Sequence, residues 1–419
     1  MFPGLSPLRH RNFALYFCGL TVSQVGDWME TTTTSWLLYQ ITADPILLGL
    51  GGAIRAVSII LFGLFGGAIA DRTDRRRMLF FTQIGFALSS TVLGILALQG
   101  HVQAWHIYVF SAVNGALGSF DAPSRRALFP NLVPRSDMQN ATVLNSAVFR
   151  LARLAGPGIA GVVIATYGPA VSFFVNVASY AAILLALALM RVPTTTLRAT
   201  SPLMRDVAEG LRYTLQRPLL RAVLLLESIH SLFGINTALI TILATDVFKA
   251  GPEGLGLLLS AQALGALVGT IGLVMLGDIE HKGRAMIVAG GFYCATLALV
   301  AVPARFELAA VLILVAAAFD AFWTAMRNTM FQLQADDRYR GRSLSTVLLA
   351  GRGFTQMAQL ESGVAVSIGG PGFALVTGAG VIALAIAAVN VRTDEIRSFR
   401  GLPDPVLAAA ATPETPGGQ

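Results

Sequence analysis

Gly67-Ala68-Ile69-Ala70-Asp71-Arg72-Thr73-Asp74-Arg75-Arg76-Arg77 is a charged turn between two apolar runs, and it is echoed 207 positions later around Asp278-Ile279-Glu280-His281-Lys282-Gly283-Arg284. At that shift Asp71 meets Asp278, Arg75 meets Lys282 and Arg77 meets Arg284, while Leu48-Gly49-Leu50 upstream meets Leu255-Gly256-Leu257. Further echoes agree. Phe120-Asp121-Ala122 returns as Phe319-Asp320-Ala321, and Gly161 before Gly168-Pro169 returns as Gly363 before Gly370-Pro371. A chain that repeats itself at half its length is built of two like halves.

Composition says what the halves are made of. The 419 residues are 54% hydrophobic and 13% charged, with a mean hydropathy of +0.66. A soluble domain has about 25% charged residues, so this chain cannot cover a water-facing surface. That excludes an ordinary cytosolic enzyme, a disordered protein and a coiled coil. A bilayer-crossing helix needs about 20 mostly apolar residues. Twelve such runs are predicted, at 12–39, 46–70, 78–99, 104–122, 138–166, 169–191, 219–248, 254–277, 285–303, 306–327, 342–366 and 371–392. The expected fold is an all-α integral membrane protein of twelve transmembrane helices in two pseudo-symmetric six-helix halves. The halves are 1–191 and 219–392, joined by a cytoplasmic linker at 192–218 and followed by a disordered cytoplasmic tail at 393–419. Parallel repeats of this kind place a substrate site between the halves near the midplane.

Charge sets the expected orientation. Of the 30 Lys and Arg, 24 fall in the termini and the loops on one side, and only Lys249 and Arg305 fall on the other. The positive-inside rule then puts both termini in the cytoplasm of a bacterial-type inner membrane. The net charge of +7 is thus a topology signal, and no nucleic-acid partner is expected. In the linker, Ser201 and Pro202 read as a helix start. Val207, Leu211 and Leu215 then form one apolar stripe, which suggests a helix lying at the membrane surface.

These residues resemble the major facilitator superfamily. Gly67 to Arg77 is similar to its loop 2–3 signature. Gly26-Asp27-Trp28, Phe120-Asp121-Ala122-Pro123-Ser124-Arg125-Arg126, Leu132-Val133-Pro134, Asn140-Ala141, Ala152 to Gly161 and Arg340-Gly341-Arg342 resemble the enterobactin-exporter-like branch of drug and siderophore exporters. Within the fifth span, Gly156, Pro157 and Gly161 look like a motif associated with antiporters, and this resemblance implies export rather than uptake. Two departures from the branch are Arg150 and the group Gln356, Gln359 and Glu361.

Charges inside spans need a reason, because each costs about 2.5–3.5 kcal/mol at a helix centre. They are Asp27, Glu30, Arg55, Arg150, Arg153, Glu227, Arg352 and Glu361. Ser23, Gln24, Asp27, Glu30, Thr31 and Thr34 share one face of the first span, so two carboxylates lie one turn apart. They read as a proton or cation site, or as acids neutralised by Arg153 or Arg55. Glu227, His230, Gly234, Thr237 and Thr241 form a stripe on the seventh span, in which a Glu–His pair can pass a proton or simply tie helices together. Arg153 reads as a cation that attracts an anion or releases the Asp27 proton, or as an ion pair to the first span. Asp71, Arg75, Arg77, Asp121, Asp278, Arg284 and Asp320 are expected at cytoplasmic helix ends, as latches between helices.

No phosphate-loop, nucleophile-elbow or HExxH pattern occurs, so no enzyme activity, cofactor or metal is expected. The reading is a monomeric secondary transporter that exports amphipathic drugs or siderophores, with protons or Na⁺ as the coupling ion. An uptake carrier for a small polar solute and a non-transporting receptor are the alternatives.

Overall fold

The computed structural model describes residues 3–70, 74–191, 203–302, 305–334, 337–397 and 399. Asp71, Arg72, Ser201, Pro202 and the tail from 400 lie outside the described residues, as does the Arg352 side chain. The described residues contain helices and no strands.

Six helices build the first half: α1 (Arg11–Thr42), α2 (Pro45–Ala70), α3 (Arg75–Leu98), α4 (Ala104–Leu128), α5 (Met138–Tyr167) and α6 (Pro169–Leu189). The linker holds α7 (Leu203–Gln216). The second half runs through α8 (Pro218–Phe233), α9 (Thr237–Ile242), α10 (Gly251–Leu276), α11 (Lys282–Val300), α12 (Phe306–Gln334) and α13 (Asp337–Arg392), and α14 (Asp394–Arg397) follows. By length and composition, nine helices among the described residues can cross a membrane. Three features separate that figure from the expected twelve. α1 and α4 have the length, at 32 and 25 residues, but are not apolar enough along it. The residues of α13 fold back at Gly370, where φ is 81°, so that one continuous element holds two of the predicted spans.

The two halves pack alike. In the first half α2 lies on α4, α3 on α4 and α6, and α1 on α5 and α6; in the second, α10 lies on α12, and α11 on α12 and α13. The halves meet along two equivalent seams, α2 against α13 and α5 against α10. The repeat seen in the sequence therefore reappears as packing. Outer faces stay apolar and uncovered, with Met275 83% and Leu384 71% exposed, as lipid-facing side chains must be.

The seventh predicted span is not one helix. It breaks at Gly234–Asn236 between α8 and α9, and a π-helical turn follows at Leu243–Val247. Asn236 satisfies the break. Its side chain accepts from Leu239 N at 3.1 Å and donates to Ser362 Oγ at 2.7 Å and Ala358 O at 3.1 Å on α13. The stripe expected over Glu227, His230, Gly234, Thr237 and Thr241 is thereby cut in two. In α7, Tyr213 and Thr214 turn inward while Leu211 and Leu215 remain exposed, so the linker helix does present apolar side chains outward.

Candidate functional site

A cavity of about 620 Å³ lies between the halves. It is lined from the first half by all six helices, and from the second by the α8–α9 break, the start of α9, α10 and α13. Of the predicted site residues, Asp27, Glu30, Asp121, Arg153 and Pro157 reach it. Glu227, His230, Arg75, Arg77, Asp278, Arg284 and Asp320 do not.

Asp27 and Glu30 lie one turn apart on α1, as their spacing requires, and each is held by neutral donors. Tyr180 Oη donates to Asp27 Oδ1 at 2.7 Å and Gln24 Nε2 to Oδ2 at 2.8 Å. Asn176 Nδ2 donates to Glu30 Oε2 at 2.8 Å, and the Ser90 hydroxyl donates to the same oxygen. Glu30 is thus clamped between α3 and α6, while Asp27 is tied to α6. Neither carboxylate pairs with Arg153. The Arg153 guanidinium instead lies over the Trp28 ring, 5.4 Å from its centroid, and is exposed to the cavity. Of the two readings of Arg153, the α5–α1 ion pair is absent, and a cation–π contact joins the helices instead. One reason is Gly156, where an added Cβ would lie 2.5 Å from Trp28 Cβ. The missing side chain brings α5 close enough to α1 for stacking.

Pro157 and Gly161 serve the other seam. A Cβ at Gly161 would meet Pro252 O at 2.6 Å, and one at Gly256 would meet Pro157 O at 2.4 Å, so α5 and α10 touch backbone to backbone. Near one end of the cavity the halves are also bonded. Ser35 Oγ and Thr241 Oγ1 are 2.8 Å apart, and Tyr39 Oη donates to Asp246 Oδ2. These contacts lie toward the α1 C-terminus and close that end of the cavity.

The second half carries its own buried charges. Glu227 and His230 do not pair with each other; both face α12, where Arg327 meets Glu227 and Asp320 Oδ1 lies 3.3 Å from His230 Nε2. The i, i+3 step puts them on one face, and the neighbouring helix supplies a partner to each. His230 also stacks on Trp323, with centroids 5.4 Å apart and planes at 11°. Asp320 was expected at a helix end but sits mid-way along α12, so it is no end latch.

The remaining latch candidates divide. Asp121 bridges α4 to α3, accepting from Gln83 Nε2 at 2.8 Å and Thr82 Oγ1 at 3.1 Å, and it pairs with Arg125 at 2.5 Å. Arg75 Nη1 donates to Ala127 O at 2.9 Å, capping α4. Arg77 and Arg284 are exposed, and Asp278 pairs with Lys282 one turn away at 2.7 Å, within its own segment. That ion pair holds the exposed Asp278 carboxyl below its ordinary range. Arg150 bridges the α5–α10 seam through Thr270 at 2.9 Å. Sequence reasoning missed Tyr180 and Arg327, and it did not place Asn176 against Glu30. All three had a signal. Ser172, Asn176 and Tyr180 are spaced by one turn on α6, and Arg327 follows Asp320 by two turns on α12.

A polar cavity walled by two packed repeats, with backbone contact at both seams, has known relatives. The chain belongs to the transmembrane secretion effector family. It matches that family over residues 3–412. It is 25% identical over 288 residues to the multidrug efflux pump Tap of Mycolicibacterium fortuitum, covering 66% of this chain and 69% of Tap. It is 23% identical to the enterobactin exporter EntS of Shigella boydii serotype 4 (strain Sb227), covering 96% of each chain. A crystal structure of a POT family transporter superposes with a TM-score of 0.70 at 12% identity, over 92% of this chain and 96% of that one. The resemblance to the enterobactin-exporter-like branch of the major facilitator superfamily holds along the chain. This secretion effector family member is a membrane-embedded transporter of small molecules, and not an enzyme.

Proposed function

We propose that the chain is a proton-coupled exporter of amphipathic small molecules, of the drug or siderophore kind, working by alternating access as a monomer. The observation that carries the reading is the Asp27–Glu30 pair at the wall of a cavity shared by two halves. The Tap and EntS likenesses support the outward direction. Positive-inside places both termini in the cytoplasm of the inner membrane. The bonded end of the cavity is then the outer end.

In this state both Asp27 oxygens accept hydrogen bonds from neutral donors and neither meets a cation among the described residues, the setting of a carboxyl that can gain and lose a proton. Protonation from outside in the opposite state, and release inside, would complete one cycle of exchange. Asp27 is the first choice for the proton, because Glu30 is the more tightly clamped of the two. The test uses everted vesicles with an acidified interior and a pH-sensitive dye. Adding a substrate from a panel of siderophores, antibiotics and dyes should release protons from the lumen. Asp27→Asn should remove the signal with normal expression. Release that needs Na⁺ and no proton gradient would make Na⁺ the coupling ion. Uptake into right-side-out vesicles would reverse the direction.

A further inference from the structure

We infer that the cavity takes an anionic amphipath, whose acidic groups reach Arg55 and Arg153 while its apolar body lies on Trp28, Leu38 and Phe110. This rests on the export reading and names its substrate class.

The argument is a balance of partners. Among the described residues three carboxylates line the cavity, and the wall donates hydrogen bonds to each of them. Asp27 takes Tyr180 and Gln24, Glu30 takes Ser90 and Asn176, and Asp121 takes Arg125, Gln83 and Thr82. Three arginines among the described residues line it as well, and of these only Arg125 is answered by an acid. Among the described residues, Arg55 and Arg153 have neither an ion pair nor a hydrogen bond. Arg55 on α2 feels the charges of Asp27 and Glu30 without bonding to them. Arg153 feels Asp320 across the interface, but Asp320 is turned to His230 at 3.3 Å.

Two unanswered guanidinium groups at membrane depth are costly, and a site that keeps them needs something to bind there. Stacking on Trp28 holds the Arg153 plane and leaves its N–H edge free, the geometry that suits a carboxylate or phenolate oxygen. On the facing wall, Gln262 and Gln356 offer neutral amides for hydroxyl or carbonyl groups. Among the described residues, a cationic ligand would meet two like charges here, and carboxyls that already accept from the wall.

Three dansyl probes sharing one fluorophore test this: dansyl-aspartate (anionic), dansylamide (neutral) and dansyl-cadaverine (cationic). Binding is read on the full chain in nanodiscs by energy transfer from tryptophan, at neutral pH and without any ion gradient. Dansyl-aspartate should bind about tenfold tighter than dansyl-cadaverine or better, as charge-assisted hydrogen bonds allow. Arg153→Gln and Arg55→Gln should each weaken dansyl-aspartate about tenfold and leave dansylamide unchanged. Arg153→Lys should keep most of the preference. Equal or tighter binding of dansyl-cadaverine by the unmodified chain overturns the inference, as do Gln variants that keep full affinity for dansyl-aspartate. Retained dansylamide binding certifies folding; a variant that loses it is set aside, and the unmodified chain's order of affinity decides. Binding needs no proton gradient, so intact exchange without anion preference would sink this inference alone. Anion preference without exchange would sink the export reading alone.

Discussion

At the level of single residues, neighbouring helices choose the partners. Glu227 and His230 share a face of α8, and each finds its own partner on α12. The Glu227–Arg327 pair is buried, with the residues 7% and 5% exposed. Removing one member strands a charge and costs about 3–5 kcal/mol, while replacing both by apolar residues of similar size is near neutral. Glu227→Gln should therefore lower the unfolding temperature in detergent well below that of the Glu227→Leu/Arg327→Met double variant. The reverse order would mean that the pair carries little energy. Tyr180 allows a finer test on α1. Tyr180→Phe removes one of the two donors to Asp27 and should shift the pH at which proton release is half-maximal, leaving maximal release within a few-fold. An unchanged pH profile would mean that Tyr180 does not act through Asp27.

At the level of elements, the sequence made the helices legible, because about 20 apolar residues leave few alternatives in a bilayer. The exceptions have physical reasons. α1 and α4 are less apolar because they line the cavity, and the α8–α9 break is stabilised by Asn236 acting on α13, a contact no local pattern shows. The Phe-Asp-Ala echo preserved position but not environment: Asp121 is locked to α3 and Arg125, whereas Asp320 faces His230. Asp27 and Glu30 were legible because both fall on one face of one helix. Arg153 was legible as a residue, but its contact with Trp28 was not, since that depends on how closely Gly156 lets α5 approach. One short element is pH-sensitive. The N-terminal turn Pro3–Arg9 is tied to the start of α5 through Asp137, which accepts from Ser6 at 2.7 Å and bonds His10 Nε2 at 2.6 Å. These bonds hold the half-buried Asp137 carboxyl below its ordinary value of 3.8. A depressed carboxyl stabilises the contact above its unfolded value and loses it as pH falls through the folded one. Acidifying below about pH 3.8 should therefore loosen this turn first. A fluorophore on residue 4 should report that release, and Asp137→Asn should give the loosened signal at neutral pH. A turn that stays docked in that variant would show that other contacts hold it.

At the level of the whole molecule, everything that joins the halves near the α1 C-terminus must part if the cavity is to open there. The seams α2–α13 and α5–α10 are related by the internal repeat, so a rocking motion can use both as equivalent bearings. Backbone contact at Gly161 and Gly256 lets them slide without side chains interlocking, and the Ser35–Thr241 and Tyr39–Asp246 bonds add polar closure. Polar bonds suit a gate that must open repeatedly, because water can replace each of them once the end is wet. Ser35 and Thr241 offer a direct test, since their hydroxyl oxygens are only 2.8 Å apart. Cysteines at both positions, with Cys18 and Cys294 changed to serine, are placed to form a disulfide that bolts this end shut. Oxidation should then abolish substrate-driven proton release, while binding of dansyl-aspartate from the cytoplasmic side persists, and reduction should restore exchange. A crosslinked protein that still exchanges protons at full rate would mean that this end never opens during transport, and the rocking of two repeats would have to be given up.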